Sequence, residues 1–185
     1  MFYYFSIVLY VLALAYNIKL VRDCIKCKGK EPPFISSLGK IKKETLSEAR
    51  SFLQKKKGIK VTDLGCGSGC LLLPLAKEFK DSEFVGYEYD WLAYTIAKIR
   101  TCRFSNITIY KKNFFEADLS EYKLVLCYLS TDTAIKIGDK LNKELPKEAL
   151  VISEVFAIPS MKKLKEITSS LTIKKLHIFM YNPNK

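Results

Sequence analysis

Three glycines at alternate positions, Gly65, Gly67 and Gly69, stand between the apolar run 59–64 and a stretch of helical periodicity. A strand that turns sharply into a helix through such a loop leaves few folds open. Gly65 and Gly67 permit backbone torsions closed to other residues and let a ligand approach the main chain closely. A nucleotide-binding glycine loop requires this strand–turn–helix setting. Two relatives of the loop do not fit. A dinucleotide turn has its third glycine one place later, where Cys70 stands, and a Walker loop needs Gly-Lys-Ser/Thr. Asp63, at the end of the strand, narrows the reading further.

Downstream of the turn, short apolar runs alternate with helical patterns. Strands are expected at 59–64, 83–88, 107–111, 124–129 and 150–156, with helices at 69–79, 90–101 and 133–145. Segments 171–176 and 177–181 read as closing strands. Such alternation implies βαβ units and a parallel sheet, hence an α/β fold. Pro74 falls inside the first helical pattern, where it is expected to kink the helix or remove a hydrogen bond. Ahead of the first strand, Ile41, Thr45, Ala49, Phe52 and Leu53 recur at helical spacing, and Gly58 supplies a stop.

Two further groups bear chemistry. Glu88 ends the second expected strand about 20 residues past the glycine turn, where a carboxylate accepts hydrogen bonds from both ribose hydroxyls. Asn113 and Phe114 follow the third strand. Asn113 suits a hydrogen bond to an adenine amino group and Phe114 a ring contact; the alternative is that they are a turn residue and a core residue.

The N-terminus has a different character. Residues 2–18 carry no charged side chain, and apolar character continues to Val21. About 20 such residues cross the ~30 Å hydrocarbon core of a bilayer. Phe2, Tyr3, Tyr4 and Phe5 would form an aromatic belt at one interface, and Lys19, Arg22, Lys26, Lys28 and Lys30 mark the other. The formal net charge of +12 is concentrated there: positions 19–60 hold 13 basic and 4 acidic residues, positions 61–185 hold 18 and 15. A basic collar beside an apolar span suits an anionic lipid surface and argues against a nucleic-acid groove. The expected organisation is an anchor at 1–21, a basic linker at 22–38 interrupted by Pro32 and Pro33, and a folded domain at 39–185. Pro32, Pro33 and Phe34 either shape the mouth of a site or act as a spacer. Cys24 and Cys27 form one CxxC without a second ligand pair, and His177 is the single histidine, so no metal is expected. Cys66, Cys70, Cys102 and Cys127 read as buried hydrophobes in core elements.

Asp63-Leu64-Gly65-Cys66-Gly67-Ser68-Gly69, the acidic strand Val85-Gly86-Tyr87-Glu88-Tyr89-Asp90, and Lys123-Leu124-Val125-Leu126-Cys127-Tyr128-Leu129-Ser130 resemble motifs of the class I methyltransferases. The resemblance implies a Rossmann-like sheet, mostly parallel with an antiparallel C-terminal strand, and S-adenosylmethionine as methyl donor. It implies that Asp63, Gly65, Gly67, Gly69, Glu88, Asn113 and Phe114 bind that cofactor. Asp63 would support the methionine end and Glu88 the ribose. The Asn113 position is usually Asp in the family. A narrower resemblance joins the apolar N-terminus, Gly29-Lys30-Glu31-Pro32-Pro33-Phe34-Ile35-Ser36 and the glycine turn. It is to the membrane-anchored mitochondrial and bacterial protein-lysine methyltransferases, although that family usually has Asp where Ser68 stands. It implies a single-pass membrane protein with its catalytic domain on the cytoplasmic or matrix side, acting on a membrane protein. Alternatives are methylation of a lipid-soluble small molecule, and a non-catalytic membrane scaffold of the same fold. Nucleic-acid methylation is disfavoured, because Cys127-Tyr128-Leu129-Ser130 departs from the Asn/Asp-Pro-Pro-aromatic tetrapeptide. No triad can be assembled around one histidine, and no catalytic residue is assigned.

Overall fold

The computed structural model describes residues 11–12, 14–16, 39–171 and 174–184. The chain divides into two units, Met1–Ile35 and Ser36–Lys185. In the first, residues 11–12 and 14–16 are helical, and the side chains of Val11, Leu12 and Leu14 are exposed. Among the described residues no helix is long and apolar enough to cross a membrane. Most of the expected anchor at 1–21, and the linker at 22–38 with Cys24 and Cys27, lie outside the described residues.

The second unit is a seven-stranded sheet of order β3-β2-β1-β4-β5-β7-β6. The strands are β1 Lys60–Leu64, β2 Glu83–Tyr87, β3 Ile107–Tyr110, β4 Tyr122–Cys127, β5 Leu150–Glu154, β6 Lys162–Leu171 and β7 Lys174–Asn182. Helices α1 Gly39–Lys55, α2 Leu72–Glu78, α3 Trp91–Thr101 and α4 Thr131–Glu144 complete it. β1 to β5 pair in parallel; β7 runs antiparallel to β5, and β6 antiparallel to β7. The expected α/β sheet with an antiparallel C-terminus is therefore present.

Both faces of the sheet are covered, which is why its central strands read as near-continuous apolar runs. On one face Val61, Phe84, Leu124, Leu126 and Ile152 pack with Ile41, Ala49 and Leu53 of α1, Leu72 and Leu75 of α2, and Ala97 of α3. On the other, Leu64, Val125, Cys127 and Val151 pack with Ala134, Ile137 and Leu141 of α4. Leu64, Leu124 and Leu126 have no accessible surface, and each contributes about 1.5–3 kcal/mol by burial. The α1 face is the one expected from its periodicity, except that Phe52 is half-buried and Leu46 joins the core.

Four expectations need correction. The first helix begins at Leu72 and not at residue 69, because positions 65–71 are spent in turns. Pro74 thus sits in the first turn of α2, where an amide has no obligatory partner, so no helical hydrogen bond is lost there. The two expected closing strands meet in one strand, β7, from Lys174 onward, while Leu171 ends its partner β6, which was not foreseen. β6 is an edge strand whose Lys162, Lys163, Lys165 and Glu166 are exposed, so it lacks the apolar alternation of a strand. Among the cysteines, Cys66 and Cys127 are buried as expected, but Cys70 is half-buried and Cys102 exposed; all four are free thiols.

Gly86 marks how tightly α2 lies on the sheet. A Cβ there would stand 2.6 Å from Cys66 Sγ, 2.8 Å from Ile109 Cδ1 and 3.0 Å from Leu72 Cδ1. Gly86→Ala is expected to destabilise the domain by about 1–3 kcal/mol through overpacking. Chemical denaturation would measure this, and an unchanged midpoint would contradict it.

Candidate active site

Strand order reverses beside β1, whose neighbours are β2 on one side and β4 on the other. In open α/β sheets the crevice beyond the carboxyl ends of the strands at this switch point is where ligands bind. The glycine turn leaves β1 there. Gly65, Gly67 and Gly69 have φ of 80°, 54° and 72°, all in the left-handed region, where a β-carbon is penalised. The turn is pinned to β2 by main-chain bonds: Gly65 N and Cys66 N both donate to Tyr87 O, at 2.9 and 3.0 Å.

Glu88 closes the same structure from the far side. Its Oε2 accepts from Gly67 N at 2.8 Å and its Oε1 from Asp90 N at 2.7 Å. Glu88 as a whole is 9% exposed. Asp90 in turn caps α3, accepting from Leu92 N and Ala93 N. From α3, Arg100 Nη1 reaches back to Ser68 O at 3.1 Å and Ser68 Oγ at 2.9 Å, a tie that the sequence alone did not indicate.

Asp63 is 3% exposed, and among the described residues no group donates a hydrogen bond to it. Burial holds its proton on well above the usual aspartate range, helped by the negative charges of Glu154 and Glu88. An acid with a raised folded value contributes stability that is fully present below the ordinary aspartate value of 3.8 and is lost as pH rises through the folded value. Asp63→Asn, a neutral isostere, is therefore expected to melt above the parent at pH 8, with the gap closing toward pH 4. Thermal melts across that range test this; parallel curves would refute it.

Glu154, the last residue of β5, is the site residue that sequence reasoning missed. It is 1% exposed. The signal was available, since it closes an apolar run with an acid as Glu88 does, and as Asp63 does one place before the end of its strand. Beyond it the backbone is strained. Val155 has φ 68°, and Phe156 N donates to Glu154 O at 2.8 Å, which makes a γ-turn centred on a β-branched residue. Such torsions cost about 1–3 kcal/mol and persist only where the surroundings over-determine them. Here Val155 N donates to His177 O at 2.7 Å and Ser153 Oγ to Phe156 O at 2.6 Å. Phe156 then stacks on Tyr128, which follows β4, with centroids 6.2 Å apart and planes at 18°.

Asn113 and Phe114 lie just past β3, whose last residue, Tyr110, accepts from Glu88 N at 3.0 Å. Asn113 Oδ1 caps a short 3-10 turn, Phe114–Glu116, by accepting from Phe115 N at 3.1 Å. Phe114 is half-buried, 4.9 Å from the Phe115 ring. Nothing among the described contacts ties this pair to the glycine turn. The thiols of Cys66 and Cys127 are pushed up, chiefly by burial, Cys127 to about 12; neither is a thiolate at neutral pH.

A doubly covered sheet of this order, with a glycine turn at the switch point and an acid after β2 bonded to it, defines a class I methyltransferase domain. The chain belongs to the family of the ANTKMT methyltransferase domain, whose sequence model matches residues 63–165, more than half of its length. It is 36% identical over 101 residues to a protein-lysine N-methyltransferase of Saccharolobus islandicus, covering 53% of this chain and 63% of that relative. Its fold resembles an RNA methyltransferase from Salinibacter ruber solved with S-adenosyl-L-homocysteine (TM-score 0.67, 19% identity, 81% of this chain and 95% of the other). It also resembles a ribosomal protein L11 methylase from Lactobacillus delbrueckii subsp. bulgaricus (TM-score 0.60, 14% identity, 78% of each). These two structural likenesses concern the fold alone, which does not decide the acceptor.

Proposed function

We propose that this chain is an S-adenosylmethionine-dependent protein-lysine methyltransferase, tethered to a membrane by residues 2–21 and acting on a lysine of a membrane protein. The observation that carries the reading is the joining of the glycine turn to Glu88 within a domain of this family. The relative named as a protein-lysine N-methyltransferase supports the acceptor class.

The residues present fit the cofactor. Each Glu88 oxygen already holds one backbone amide and keeps a second lone pair for a ribose hydroxyl. Asp63, a buried acid with no donor among the described residues, keeps its proton on its own and would release it beside a positive charge, and the cofactor has both a sulfonium and an ammonium. Gly65 and Gly67, lacking side chains, leave their main chain open to it. Asn113 and Phe114 remain candidates for the adenine. When bound, S-adenosylmethionine supplies an electrophilic methyl group on a positively charged sulfur. The chain's task is then largely positioning, together with a dry setting that favours the neutral, nucleophilic form of the acceptor lysine.

The basic collar after the apolar segment favours an orientation with the domain on the cytoplasmic or matrix side. The experiment compares methyl-lysine in membrane proteins from cells with and without the gene, by mass spectrometry, with the chain itself followed in membrane fractions. A methyl-lysine signal confined to gene-bearing cells is expected; identical spectra, or a chain found only in the soluble fraction, would count against the reading.

A further inference from the structure

We propose that Tyr128, Phe156 and Glu154 form the site for the acceptor amine: a lysine ammonium rests against the two rings, and the Glu154 carboxylate takes its proton. The inference rests on the lysine-methyltransferase reading above and assigns the other half of the same crevice.

The placement follows from the sheet. In the order β2-β1-β4-β5, four neighbouring strand ends carry Glu88, Asp63, Tyr128 and Glu154. The first two belong to the cofactor side. Cys127 pairs with Ser153, so Tyr128 and Glu154 are the next residues along their adjacent strands. Burial chiefly, and the nearby Glu154 charge after it, push both the Tyr128 hydroxyl and the Asp63 carboxyl up, in keeping with their places on adjoining strand ends. The cofactor side lies close by, since a β-carbon on Gly65 would stand 3.7 Å from Leu129 Cδ2, one residue past Tyr128.

Two features point to a cationic, elongated guest, and a third fixes one wall of its site. Two half-buried, near-parallel rings offer π faces, which attract an ammonium and shed water from an alkyl stem. Asp63 and Glu154 are buried acids on the two strands that flank β4, so a cationic guest beside Tyr128 meets acidic groups on both sides. The Phe156 ring is brought to Tyr128 by the left-handed Val155, a strained turn retained between two bonds that pin it. Glycine would adopt that torsion freely, whereas valine holds the ring in one place.

The proton step balances on the acceptor and Glu154 alone. One N–H bond of the ammonium breaks, its electron pair stays on nitrogen, and an O–H bond forms on the carboxylate. The nitrogen is left with the lone pair that methylation needs, and the carboxyl proton returns to water after product leaves.

The test uses the full chain in detergent, with n-butylammonium as the probe. Tyrosine and phenylalanine ring signals are followed by NMR, with Tyr128 and Phe156 assigned by substitution. Both rings are expected to shift together on titration. In Glu154→Gln the probe should bind about tenfold more weakly, while S-adenosylmethionine affinity by calorimetry stays within about threefold. With poly-L-lysine as acceptor, Glu154→Gln should raise KM and lower kcat, and Glu154→Asp should recover part of both. Tyr128→Ala should raise KM chiefly, whereas Tyr128→Phe should not. If the buried Glu154→Gln fails to fold, the half-buried ring variants carry the same comparison. Unresponsive rings, or parental constants in Glu154→Gln and Tyr128→Ala, overturn this proposal while leaving the lysine reading intact. A parent that binds S-adenosylmethionine yet labels lipid and not polylysine overturns both.

Discussion

Glu88→Gln is expected to weaken S-adenosylmethionine binding by about 100-fold. In the parent both carboxylate oxygens accept from backbone amides, Gly67 N at 2.8 Å and Asp90 N at 2.7 Å. Bonds of this charge-assisted kind contribute about 1.5–3 kcal/mol each. Glutamine has one acceptor oxygen, so one of the two amides must face an NH2 group. The oxygen that remains cannot hold an amide and both ribose hydroxyls. A loss near 3 kcal/mol corresponds to roughly 100-fold in affinity. Calorimetry on parent and variant would measure it, with circular dichroism confirming that the sheet persists. Affinity within about threefold of the parent would remove Glu88 from the cofactor site.

The second large effect is at Gly67, whose φ of 54° and bond to Glu88 make it the hinge of the whole turn. Gly67→Val places a β-branched side chain in the left-handed region at a cost of about 1–3 kcal/mol. It also covers the main chain that the cofactor is to approach. Binding is expected to fall below detection, with a melting temperature lower by several degrees, about 2–4 °C per kcal/mol for a domain of this size. If Gly67→Val bound S-adenosylmethionine as tightly as the parent, the glycine turn would have no role in holding it. The contrast with Asp63→Asn is instructive, since that change should stabilise the empty domain at high pH while removing a negative partner for a cationic ligand. Opposite signs on stability and affinity would mark Asp63 as a residue kept for binding.

Much of this site was legible in the sequence because its signals are local. The glycines, Asp63 and Glu88 lie within one βαβ unit, where apolar runs and spacing suffice to place a turn and the acid that answers it. The parallel strands were legible for a related reason: burial on both faces writes an apolar run into the central β1, β4 and β5, while the edge strand β3 shows the alternation of one buried face. β6 was not, because it is an exposed charged edge whose strand character comes from pairing with β7. Asn113 shows a different limit. Its residue type suits an adenine contact, but in the fold its carbonyl caps the turn that begins at Phe114.

The amino-acid sequence by itself determined the glycine turn at Gly65, Gly67 and Gly69, its acid at Glu88 and the alternation that makes a parallel sheet. Each depends on torsional freedom or apolar period within a short segment. Only the tertiary structure brought Asp63, Tyr128 and Glu154 to neighbouring strand ends and Phe156 against Tyr128. Strand order and register set which distant strand ends become neighbours. The strained Val155 is likewise imposed by its partners on β7 and Ser153, since no isolated valine would choose that torsion.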